Sequence, residues 1–171
     1  CRLLPSTLPN SFGVLLVSQS ANDLLKTTQP VLQVVGQVLD TCWSHLKQDC
    51  LDADSGRLSA NKLDEHQLAS YELAFCAAEL YAARHIVEYA DAAPGNGGGE
   101  IEARLALSFC AEAVNNIRGR LAARPADYGL DADRLAASLS GHEVNVFVEA
   151  HLSSAALEAL GQMVIDRDGV L

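Results

Sequence analysis

Apolar positions between residues 60 and 92 fall at steps of three and four: Leu68, Tyr71, Phe75, Ala78, Ala82, Ile86 and Tyr89. That spacing predicts one long helix with this stripe turned toward a core. Val31, Val35, Val38, Cys42 and Leu46 repeat the pattern. They predict a helix from near Pro30 to about Gln48, with Thr27 or Thr28 as cap and the proline in a first turn that does not need its N–H. Ile101, Leu105, Phe109, Ala113, Ile117 and Leu121 predict a third helix from about Glu100 to Ala123. Arg118, Arg120 and Arg124 sit near its negative end, and Pro125 stops it.

After the stretch Pro125–Asp131, Asp131 or Asp133 opens a short helix through Leu139, which Ser140-Gly141 breaks. A last helix runs from His142 to about Asp166, with Val144, Val148, Leu152 and Ala155 on one edge and Phe147, Leu157, Leu160 and Val164 beside it. The expected fold is therefore all-α: an up-down-up-down four-helix bundle over residues 24–171, with a short extra helix before the last long one. Residues 1–23 read as a lead-in or the cut end of something larger. Pro5 and Pro9 interrupt them, and Val14–Val17 is their best apolar run.

The 171 residues suit one core. Apolar residues make up 49% and aromatic residues only 5%, a balance that favours close-packed helices over sheets. The formal charge of −10 would repel phosphate backbones and anionic membranes, so neither nucleic acid nor membrane is an expected partner. No apolar run approaches the roughly 18 residues of a membrane-spanning helix. Cys1, Cys42, Cys50, Cys76 and Cys110 form no C-x-x-C pair. They are expected as reduced thiols of a cytoplasmic protein, mostly in its core.

Few residues suggest chemistry. Gly95-Asn96-Gly97-Gly98-Gly99 follows a helix and precedes Glu100, whereas a phosphate-binding loop needs a strand before it; a plain connector is expected. Counting from Asp52, the glycine of Asp49–Gly56 falls one position early for a calcium loop, and Leu63 stands where the bidentate glutamate belongs. A solvated acidic turn is the expectation there. His45, His66, His85, His142 and His151 are scattered, with no Glu-x-x-His and no G-x-S-x-G. Asn115 and Asn116 are expected to hydrogen-bond between helices or face water.

Three stretches, taken together, carry a family likeness: Lys26-Thr27-Thr28-Gln29-Pro30-Val31, then Glu65-His66-Gln67 ahead of an alanine-rich helix, then Ala106–Ala113. In order and spacing, residues 24–124 resemble the C-terminal helical domain of the acyl-CoA dehydrogenases. The resemblance implies an FAD-dependent class that desaturates acyl-CoA thioesters and assembles as homo- or hetero-oligomers through helix-to-helix contacts. It would place Thr28 and Gln29 nearest the acyl chain as substrate-binding residues. The family's flavin-contacting Arg-x-x-Phe-Gly is replaced by Asp54–Ser59, its glycine loop by Arg124–Gly129, and its catalytic glutamate has no counterpart. A chain without its own base, not binding FAD alone, is the expectation; an autonomous helical scaffold is the rival.

Overall fold

The structure is a computed structural model, described over residues 20–93 and 99–167. Ser20 opens α1 (Ala21–Lys26), its Oγ accepting from the Asp23 amide at 3.2 Å. The chain bends at Thr27 and runs on as α2 (Thr28–Asp49). The Thr27 and Thr28 hydroxyls close the bend by donating to the carbonyls of Leu24 and Leu25, at 2.6 and 2.7 Å. Thus α2 begins two residues before Pro30, and Thr27 occupies its cap position without a side-chain cap bond.

A turn closed by a single antiparallel bridge, Leu51 to Leu58, leads to α3 (Ala60–Glu65), and His66 breaks the helix before α4 (Gln67–Ala92). Gly99, at φ 66°, precedes α5 (Glu100–Ala123). A 3-10 turn (Pro125–Tyr128) and α6 (Ala132–Leu139) follow, with the Asp131 carboxylate capping α6 from the amides of Asp133 and Arg134. The expected last helix is two: α7 (His142–Leu152) and α8 (Ser154–Asp166). Ser153 turns to ψ 149° between them and its Oγ accepts from the Ala156 amide, so a serine that looks neutral inside a long helix instead starts a new one.

The all-α bundle is as expected, and the described residues include no strand beyond that bridge. Its centre differs from expectation. The hub is α5, which packs against α1, α2, α4, α6, α7 and α8. Alanines make this possible: Ala103, Ala106, Ala111 and Ala113 are buried among Leu107, Cys110, Val114, Ile117 and Leu121. Small side chains let neighbouring helices approach on several sides at once.

On α4 the stripe is reversed. Its core side is Ala69, Leu73, Cys76, Leu80, Ala83 and Ala90. The expected core residues point outward: Leu68 is 54% exposed, Tyr71 56%, Phe75 42% and Tyr89 67%, with Ala78 and Ala82 also exposed and only Ile86 half-buried. A helix apolar on two sides satisfies either orientation, and packing against α5 selects the side with the smaller residues.

Residues 1–19 and the stretch 94–98 lie outside the described residues, with most of the lead-in and connector expectations; residues 20–23, expected as the end of the lead-in, instead cap and open α1, which packs on α5. Cys42, Cys50, Cys76 and Cys110 are free and buried, in agreement with core thiols. Asn116 donates to Glu79 of α4 at 3.3 Å and so joins two helices, whereas Asn115 accepts from Arg118 of its own helix and faces water. No helix among the described residues is long and apolar enough to cross a membrane.

Candidate functional site

A groove of about 980 Å³ runs between α1, α2 and α4. Leu25, Leu32 and Val87 line its apolar part, and it carries both residues that the resemblance singled out, Thr28 and Gln29. Gln29, Gln33 and Gln37 recur every fourth residue and form one carboxamide edge along α2. Arg84, Glu88 and Asp91 form the facing edge on α4, and Asn22 and Lys26 the end toward α1.

Thr28 and Gln29 play different parts there. Thr28 is 1% exposed and spends its proton on the Leu25 carbonyl. It holds the α1–α2 bend and cannot act as a base. Gln29 is exposed, with its carboxamide free among the described side chains to meet a ligand. Lys26 is drawn aside by Asp23 at 2.7 Å; that bond lowers the Asp23 pKa and raises the lysine's.

Arg84 is the feature that sequence reasoning missed. A Cβ added at Gly36 would stand 2.7 Å from its Nη2, so the missing side chain of Gly36 is the notch in which the guanidinium lies against α2. Arg84 forms no ion pair among the described residues, although Asp40 and Glu88 share the groove. A glycine in mid-helix facing an arginine of another helix is visible only once the two helices are paired.

At the opposite end, Glu72 of α4 receives Arg120 at 2.6 Å and faces Arg124 at 3.8 Å. Beneath them Tyr128 is completely buried, its hydroxyl without a hydrogen-bond partner among the described residues. Burial raises its pKa, and the nearby Arg124 guanidinium only partly offsets that. Gly129 follows at φ 64°, packed under the His45 ring. The Pro125–Asp131 stretch, expected as a plain loop, is therefore a structural plug.

No group of three or more metal-competent side chains converges among the described residues. His151 packs edge-on to Phe147 with ring centroids 4.9 Å apart, and burial lowers its pKa. Asp52 closes the acidic turn by accepting from the Ser55 amide and hydroxyl, both at 2.8 Å, and from the Asp54 amide at 3.2 Å. These bonds, above all those from Ser55, lower its pKa.

The two stretches at the family's flavin-contacting positions do not fit a flavin. The first, Asp54–Ser59, folds back on Asp52 through the Ser55 amide and hydroxyl and keeps neither the phenylalanine nor the Phe-Gly pair of the family's motif. The second commits Tyr128 to the core and sets Gly129 against the His45 ring. Compared with protein-family models and with curated proteins, the chain matches none.

Proposed function

We infer that the chain is an assembly-forming bundle domain or subunit of an acyl-CoA dehydrogenase-like flavoprotein, without a catalytic base of its own. In this reading α,β-desaturation of the acyl-CoA thioester takes place where other domains or subunits supply flavin and base. The observation that carries the assembly part is the outward apolar side of α4. A helix apolar on both sides serves a bundle with neighbours beyond its own chain. The order of the three family-like stretches supports the flavoprotein part, and the groove beside Gln29, at about 980 Å³, is of the volume that small-molecule sites have.

A second reading, an autonomous helical interaction domain without enzymatic activity, is favoured by the Tyr128 plug and the acidic turn at the flavin-contacting positions. Native mass spectrometry and absorption spectra of the chain purified from its own cells separate the two. A complex with a flavin-bearing subunit, absorbing near the flavin band, supports the first. A colourless species that binds neither FAD nor a medium-chain acyl-CoA in calorimetric titration overturns it.

A further inference from the structure

The outer side of α4 follows a heptad. Leu68, Phe75, Ala82 and Tyr89 stand seven residues apart, and Tyr71, Ala78 and His85 fall three after the first three of them. With Leu68 as position a, the other side of the heptad, Ala69, Leu73, Cys76, Leu80, Ala83 and Ala90, is the buried core face. A strict 3-4 alternation is the seam that receives a second helix lying nearly parallel or antiparallel to the first.

We propose that this seam pairs with the α4 seam of a second copy, antiparallel, about a twofold axis at Ala78. The partner follows from the order of residue sizes. Reversing the seam on itself sets Ala78 against Ala78 and Tyr71 against His85, and, one residue (about 1.5 Å) off level, Phe75 against Ala82 and Leu68 against Tyr89. Along the seam large therefore meets small next to the axis, where the helices come closest, and Tyr81 on the flank comes within one residue of level with Ala74. A parallel pair would instead stack Phe75 on Phe75 and leave the two alanine layers hollow. It would also align two helix dipoles, which the antiparallel pair opposes.

Charge does not oppose the pairing, although the chain is acidic overall. Of the flanking glutamates, Glu72 and Glu79 are turned onto α5, where Arg120 and Asn116 hold them, and Glu88 is paired with His85 of the seam at 2.8 Å. The Arg120 guanidinium lies 5.1 Å from the centre of the Phe75 ring. Tyr71 and Phe75 are already preorganised as a tilted pair 4.8 Å apart.

The area is sufficient. Tyr71, Phe75, Tyr81 and Tyr89 expose 56, 42, 65 and 67% of their surface. With roughly 150–250 Å² per aromatic side chain, they and Leu68 supply on the order of 500 Å² per copy, so a twofold pair buries on the order of 1,000 Å², where specific interfaces begin.

The proposal rests on the assembly part of the function proposed above, and its test is independent of flavin. Sedimentation equilibrium of the whole chain should show a monomer–dimer equilibrium. Ala78→Glu keeps a strong helix former at an exposed site, so the helical circular dichroism should remain, while the charge at the axis weakens dimerisation by about 100-fold or more. Register is read with a short bis-maleimide in a Cys1→Ser background, where the other cysteines are buried. Ala78→Cys should cross-link to itself, and Leu68→Cys to Tyr89→Cys in a mixed dimer. Leu68→Cys should not cross-link to itself, because antiparallel copies hold that position about 30 Å apart.

Self-cross-linking at position 68 would establish a parallel pair and overturn the proposal. A dimer indifferent to Ala78→Glu and not cross-linked at position 78 would overturn it while leaving assembly through another surface. A monomer at high concentration, or one whose seam is covered by a lipid or another protein, would overturn it outright. The flavoprotein reading would then stand or fall on its own titrations.

Discussion

Tyr128 shows how a residue in an apparent loop can hold a bundle closed. Its ring fills the space beneath Glu72 and Arg124, while its hydroxyl is buried without a partner. Tyr128→Phe should therefore leave stability unchanged or raise it by about 1 kcal/mol, because the desolvated hydroxyl is removed. Tyr128→Ala should lower it by about 3–5 kcal/mol through the cavity left behind. Urea unfolding of the two variants beside the parent decides both. The core thiols give a second prediction. Burial pushes the Cys42 thiol from 9.0 up to about 11, and the Cys76 and Cys110 thiols up to about 12. Between pH 9 and these values the unfolded chain releases thiol protons that the folded chain retains. The unfolded state then binds fewer protons, so stability falls as pH rises through that window, by up to about 1.4 kcal/mol per pH unit for each thiol. Cys42→Ala, which removes one of the three, should flatten the decline measured by urea midpoints between pH 8 and 11.

At the scale of the element, α4 carries the main correction to what periodicity suggests. Leu73 is completely buried and Phe75 is 42% exposed. Leu73→Ala should cost about 2–5 kcal/mol, whereas Phe75→Ala should cost about 1 kcal/mol or less in the monomer. Denaturant titration at a concentration below dimerisation reads the difference directly, and equal costs would mean that α4 is rotated from the orientation described. The broken helices make a related point. His66 and Ser153 each interrupt a long apolar pattern, but the apolar period continues across both, so periodicity alone joins what backbone geometry separates. The α5 boundaries, by contrast, were closely legible, because the glycine stretch before Glu100 and Pro125 after it leave one span open to a helix.

For the molecule as a whole, α8 and the outer side of α4 leave much apolar surface uncovered among the described residues. α8 has no fully buried residue, and Leu157 and Ile165 are 44 and 67% exposed. The α4 seam accounts for the larger share, and its pairing makes stability depend on concentration. The thermal midpoint should rise with protein concentration in the parent and stay constant in Ala78→Glu. The groove between α1, α2 and α4 is the other whole-molecule feature. Thr28 and Gln29 were legible as neighbours at the start of α2, but Arg84 is 55 residues beyond Gln29 in the chain and reaches the groove only because Gly36 lets the two helices approach. By itself the sequence determined the all-α class, the spans of α2 and α5 to within a few residues and the burial of the described cysteines, because these follow from local periodicity, caps and breakers. Only the tertiary structure decided that α5 is the hub, that Tyr128 is a plug and that the larger apolar stripe of α4 faces outward. A helix apolar on two sides records that both will be covered; which one its own chain covers is set by the competition for space in the core.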